Sequence, residues 1–172
     1  MMFEAVDGKA LDRVVVVPAR TALDEYLKYA AYICQPDRYF QPSIRMAFYT
    51  NNKIDRRVPK ILGSIDAISS DEIETRPHLT DNERAMLRTL FAKMDYARKE
   101  EWSRNKLMIV FLTSSDSPDT LILPYDIEND QSSMNRQRIA FTQNQRYVTL
   151  SSLKKARYTS ELENTSASSN DE

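Results

Sequence analysis

The chain has 172 residues, 41% hydrophobic and 28% charged, which is one domain's worth of material with enough apolar side chains for a sizeable core. Its 24 basic against 25 acidic side chains leave no global electrostatic argument for nucleic acid, so any such argument must be local. Two glycines, Gly8 and Gly63, exclude a P-loop or a dinucleotide fingerprint, and a single histidine and cysteine, His78 and Cys34, are too few for a zinc cluster.

Residues 1–12 read as a polar lead, with Glu4 and Asp7 ahead of the first apolar run. That run, Val14–Val17 closed by Pro18, is too short for a signal peptide or a membrane span and reads as a buried strand. The lone Cys34 permits no internal disulfide and suits a reducing cytoplasm. Between Thr21 and Ile33, Leu23, Tyr26, Leu27, Ala30, Ala31 and Ile33 support a helix capped by Thr21, although Tyr29–Ile33 also fits a strand. Pro36 and Pro42 then enclose a loop whose Tyr39 and Phe40 either line a pocket or pin the loop to the core.

The chain is organised around Ser43–Ile68. Ile44, Met46 and Phe48 alternate with Arg45, Ala47 and Tyr49, Asn51-Asn52 offers a turn, and a second apolar run holds Ile61, Leu62 and Ile65. This pattern predicts a hairpin with one core face. Lys53, Arg56, Arg57 and Lys60 stand there against Asp55 alone, so its exposed end should attract anions. Residues 69–77 are acidic and turn-like, and Thr80 with Glu83 forms a capping box. Leu87, Leu90, Phe91 and Met94 continue it as a helix over Thr80–Trp102, laid across the domain's own sheet.

Lys106–Thr113 reads as a central strand, with Thr120–Tyr125 as its antiparallel partner across a polar turn. Ile139–Phe141 is a candidate short strand and Tyr147–Leu150 an extended segment, after which Ser151 or Ser152 caps a turn. A polar tail is expected over 159–172, without structure from Glu161 onward. Between Asn135 and Tyr158 lie Arg136, Arg138, Arg146, Lys154, Lys155 and Arg157 with no carboxylate, interleaved with Phe141, Tyr147 and Tyr158. Guanidinium groups match phosphate geometry and aromatic faces stack bases, so this segment fits a nucleic-acid surface. The acidic run Asp116, Asp119, Asp126, Glu128 and Asp130 offers these cations partners inside the fold. Asp126, Glu128 and Asp130 alternate and would be a magnesium set only beside a base or lysine at suitable spacing. No such group accompanies them, so neither a metal, a cofactor nor catalysis is expected.

Val14–Arg20 (VVVVPAR), SIRMAFYTNNKI followed by VPKILGSIDAI, the strand LMIVFL, and RYVTLSSLKKA at Arg146–Ala156 together resemble the arrangement in PUA-like small β-barrel domains, including prokaryotic ones associated with nucleases or defence systems. The resemblance spans most of Arg13–Tyr158, and the Thr80–Trp102 helix is a departure from it. It implies a curved, mostly antiparallel sheet that binds RNA or modified bases in DNA. Carried over, it makes Arg45 and Tyr49 pocket residues and Tyr39 and Phe40 stacking groups.

The resulting expectation is a single α+β domain over 13–158, with a curved, mainly antiparallel, barrel-like sheet and one prominent packed helix. Its expected role is non-catalytic recognition of RNA, DNA or a nucleotide. Arg45, Arg56, Arg57 and Lys60 would form one basic surface, Arg136, Arg138, Arg146, Lys154 and Lys155 the other, with Tyr39, Phe40 or Tyr49 contacting a base. The alternative is a structural or protein-interaction domain, binding a protein partner or a second copy of itself within a larger complex.

Overall fold

The computed structural model describes residues 10–132 and 139–165. Strand β1 (Arg13–Pro18) is the run of four valines, and each valine is fully buried. Successive side chains of a strand point to opposite faces, so Val14 and Val16 enter one apolar cluster while Val15 and Val17 enter another. A strand can be apolar at every position only if both its faces are covered. The ambiguous segment from Thr21 divides into both of its readings: helix α1 (Ala22–Tyr29), then strand β2 (Ala31–Cys34). Ala30 separates them in a left-handed conformation at φ 52°, donating its N–H to Tyr26 O. Thr21 makes no side-chain cap.

Strand β3 (Arg45–Thr50) and the two-residue strand β4 (Lys53–Ile54) form the expected hairpin start. Asn51 and Asn52 both have positive φ, 51° and 61°, as a two-residue turn of this hand requires. The hairpin then stops. Asp55, only 7% exposed, accepts from the Arg57 amide and leads the chain into β5 (Arg57–Val58) and then β6 (Ile61–Ile68), which belongs to a different sheet. The second apolar run is therefore not the return arm of the hairpin. Nor has β3 a single core face, because Met46 and Phe48 pack into one cluster and Ala47 and Tyr49 into the other.

The capping box forms as predicted, with the Glu83 amide donating to Thr80 Oγ1 at 3.1 Å and the Thr80 amide donating to the Glu83 carboxylate at 3.1 Å. The helix it opens is two helices. α2 (Asp81–Lys93) ends where Met94 becomes extended, and Asp95 caps α3 (Tyr96–Arg104) by accepting from the Arg98 amide at 2.9 Å. An aspartate that can take an orphan amide competes with helix continuation, and here it wins. Strand β7 (Leu107–Leu112) is buried at every position and lies between β2 and β6. Strand β8 (Leu121–Ile122) pairs with β5 rather than with β7, correcting the expected partner, and β9 (Ile127–Glu128) extends the β4 edge.

Ile139–Phe141 is not a strand. Strand β10 (Arg146–Thr149) pairs with β1 and runs into α4 (Leu150–Lys155), which is capped by Thr149 rather than by a following serine. The chain keeps pairing beyond Tyr158, where a polar tail was expected. A 3-10 turn covers Thr159–Glu161, the Thr149 amide donates to Glu163 O, and the Thr165 amide donates to Tyr147 O. The lead over 1–9 and the residues after 165 lie outside the described residues.

The architecture is α+β, with a curled, half-barrel mixed sheet. One five-stranded sheet has the order β10-β1-β3-β4-β9, and a three-stranded sheet has the order β2-β7-β6. The β1·β3 ladder is parallel and the other described ladders are antiparallel. Val15, Val17, Met46 and Phe48 from the larger sheet meet Tyr32, Met108, Val110 and Leu112 from the smaller, with Tyr26 of α1 between them. The other face of the smaller sheet is covered by α2 and α3 through Leu87, Leu90, Met94 and Trp102. No helix among the described residues is long and apolar enough to cross a membrane.

The C-terminal turn carries a pH signature. The Ser160 hydroxyl donates to Asp130 at 2.5 Å, joined by the Ser160 amide at 2.9 Å and Thr159 Oγ1 at 3.0 Å, and these bonds hold the Asp130 carboxyl below its ordinary value. A carboxyl depressed in the folded state contributes stability that is complete above the unfolded value, near pH 4, and is lost as the pH falls through the folded one. Melting temperature should therefore drop below about pH 4, and Asp130→Asn should flatten part of that limb. An acid limb identical in the variant would contradict the assignment.

Candidate functional site

Of the nine cations expected to bind phosphate, Arg45, Arg57 and Arg146 are engaged within the fold. Arg45 Nη1 donates to Val58 O at 2.9 Å and Asp119 O at 2.8 Å, clamping β3 to the neighbouring loops. Burial pulls its guanidinium pKa down while Asp119 opposes the shift. Arg57 forms a two-toothed pair with Asp55 at 2.8 and 3.1 Å, and hydrogen bonding to that carboxylate raises its pKa. Lys53 pairs with Asp126 at 2.8 Å. Arg146 lies 4.2 Å from the Phe141 ring centre and donates to Asn164 Oδ1 and Phe141 O, tying the C-terminal segment to the sheet. Lys154 and Lys155 are exposed in the last turn of α4, where they offset its C-terminal carbonyls. Lys60 and Arg56 are exposed, and Arg136 and Arg138 lie outside the described residues.

The expected base contacts divide. Tyr39 is 74% exposed, whereas Phe40 and Tyr49 are buried. Phe40 is packed edge-on to Tyr32, pinning its loop to the core. The Tyr49 hydroxyl accepts from Asn129 Nδ2 at 3.1 Å and donates to Asn52 Oδ1 at 3.3 Å, so no face of this ring is open to a base. Lys154 and Lys155 close α4, and Lys155 lies two residues before Arg157.

The two basic segments nevertheless meet at one place, around β9. Arg56 is fixed there by its backbone: its amide donates to Asp126 Oδ1 at 2.8 Å and its carbonyl accepts from the Leu123 amide at 2.8 Å. On the other side, the Glu128 amide donates to Arg157 O at 3.0 Å. The Arg157 guanidinium stands 4.8 Å from the ring centre of Tyr125, which is 59% exposed. The backbone turn behind it is held by Glu161, which accepts from the Arg157 amide at 2.6 Å and the Tyr158 amide at 3.0 Å and is thereby kept well ionised.

Tyr125 escaped the sequence reading because it looked like the end of a strand beside an acidic run. Those carboxylates turn out to be local fasteners: Asp126 holds Lys53 and Arg56, and Asp130 holds Ser160. Among the described residues no group of three histidine, cysteine or carboxylate side chains is placed to hold a metal ion. Around Tyr125 the formal charges balance, with Lys53, Arg56, Arg57 and Arg157 against Asp55, Asp126, Glu128 and Glu161. Within that balance, Lys53 and Arg57 are ion-paired, while Arg56 and Arg157 have no carboxylate within salt-bridge distance among the described residues. No protein-family model, no curated protein and no solved structure matches this chain.

Proposed function

We propose that the domain recognises single-stranded RNA or DNA, or a nucleotide unit of it, without cleaving it. Tyr125 stacks a base, and Arg56 and Arg157 contact the flanking phosphates. The observation that carries this reading is the exposed Tyr125 ring with the Arg157 guanidinium 4.8 Å from its centre, next to Asp126, which holds the backbone of the exposed Arg56. The resemblance to PUA-like domains supports the same ligand class. Magnitudes favour a single strand: one stacked base contributes about 1–3 kcal/mol, whereas two free cations are too few for strong duplex binding.

Two phosphate contacts on a single strand imply that log K falls with log salt at a slope of about −1.4. In a binding panel of single-stranded DNA, duplex DNA, RNA and modified-base oligonucleotides, Tyr125→Ala should weaken single-strand binding about tenfold. Arg56→Ala and Arg157→Ala should each reduce the slope by about 0.7. Lys93→Ala, exposed at the end of α2 over the smaller sheet, should leave the slope unchanged. Binding that ignores all three substitutions around β9, or no binding to any oligonucleotide, would refute the proposal. The balanced charge around Tyr125 favours the competing reading of a protein-interaction domain, and that second outcome would leave it standing.

A further inference from the structure

A second arginine is held in a quite different way. Arg38 lies half-buried where the loop after β2 meets the start of β10. Its Nη1 donates to the Tyr32 hydroxyl at 2.7 Å and its Nη2 to Gln145 Oε1 at 2.7 Å. The guanidinium carbon lies 5.1 Å from the Phe40 ring centre and 5.9 Å from that of Tyr32. Every one of these partners is neutral. Arg57, Arg76, Arg88, Arg98 and Arg104 have carboxylates at salt-bridge distance, whereas Arg38 has none among the described residues. Asp66, a carboxylate of this neighbourhood, spends Oδ1 on the Asp37 amide.

A guanidinium carries five N–H donors; two go to Tyr32 and Gln145, and the neutral Cys34 thiol is also within hydrogen-bonding reach. Beside it, the Tyr147 hydroxyl accepts from the Gln41 amide at 2.9 Å and from Gln145 Nε2 at 3.4 Å, and its own proton goes to no described acceptor. Gln145 is fixed in turn by donating to Tyr39 O at 2.5 Å. A cation oriented by neutral groups and stacked on aromatic faces keeps its charge available to a ligand. We propose that Arg38 and Tyr147 form a binding site for an oxyanion, the carboxylate or phosphate group of a small molecule. It is separate from the Tyr125 surface, since Tyr147 packs on the Val15 and Val17 face of the larger sheet, whereas Ala156, which leads into Arg157, packs on the Val14 and Val16 face.

Cys34 reports on this site. It is the chain's single cysteine, and burial pushes its thiol up to about 11 although Arg38 beside it favours the thiolate. An oxyanion on Arg38 offsets that help and covers the approach to the sulfur, so alkylation should slow. The test is iodoacetamide modification of the full chain with rising acetate or inorganic phosphate, ionic strength held constant with chloride. The expected result is a saturable slowing of about threefold or more, half-complete at roughly millimolar anion. Arg38→Met should abolish the response. Gln145→Glu, which keeps the side chain's size and supplies Arg38 with a carboxylate of its own, should abolish it too while the fold persists. A response to phosphate alone or to acetate alone would assign the chemistry of the ligand group. No slowing by either anion beyond chloride, or slowing that survives in Gln145→Glu, would overturn the site.

Discussion

Trp102→Ala should be the most damaging single substitution on the helical side of the molecule, lowering stability by about 3–5 kcal/mol. The indole is fully buried, it packs with Phe91 at 6.1 Å between ring centres, and its Nε1–H donates to Ile68 O at 2.9 Å. Truncation opens a cavity between α3 and the β6·β7 pair and leaves that carbonyl without its partner. Against a typical total of about 5–15 kcal/mol, this is a large fraction, equivalent to a fall of about 10 °C or more in melting temperature. Trp102→Phe restores most of the apolar volume but not the hydrogen bond and should cost about 1–2 kcal/mol. Leu62→Ala, at a residue 55% exposed, serves as the control and should change stability by less than about 0.5 kcal/mol. Circular dichroism melts would decide the matter, and a loss below about 1 kcal/mol for Trp102→Ala would show that α3 is not anchored as described.

The second large effect is expected at Asn129, a buried side chain that joins four segments. Its two Nδ2 hydrogens are shared among Ile139 O at 2.6 Å, Asn52 Oδ1 at 3.0 Å and the Tyr49 hydroxyl at 3.1 Å. Its Oδ1 accepts from the Gln131 amide at 3.2 Å and shares the Thr159 hydroxyl proton, at 2.9 Å, with Asp130. Asn129→Ala leaves several buried polar groups unpaired at once, and a loss of about 2–4 kcal/mol follows. Asn129→Asp should be no better, because a carboxylate keeps the acceptors and loses both donors. Thr159 lies two residues from Arg157, so the same substitutions should also loosen the turn behind Tyr125 and weaken any oligonucleotide binding. Denaturant unfolding of both variants checks this, and an Asn129→Asp protein as stable as the parent would contradict the donor assignment.

Elements with a local cause were legible in the chain itself. Four consecutive valines require a strand covered on both faces, the Thr80–Glu83 spacing satisfies helix-start amides reciprocally, and Asn51-Asn52 accepts the positive φ of a tight turn. Even the break in the long helix had a local signal in Asp95, a good cap lying inside an otherwise helical pattern. Pairing was different. Periodicity says that a segment is buried but not by which neighbour, so Ile61–Ile68 looked like the return of a hairpin although β7 was its partner, and Leu121–Ile122 looked like the partner of β7 although it sits on β5.

The same distinction governs the candidate site. The sequence alone determined that the basic residues fall into two blocks and that no glycine-rich phosphate loop accompanies them. Only the tertiary structure decided which cations retain a free charge, because Asp55 and Asp126 neutralise Arg57 and Lys53 while β9 brings Arg56 toward Arg157 and Tyr125. A charge's availability depends on what stands within a few ångströms of it, and in a mixed sheet those neighbours come from segments distant in the chain.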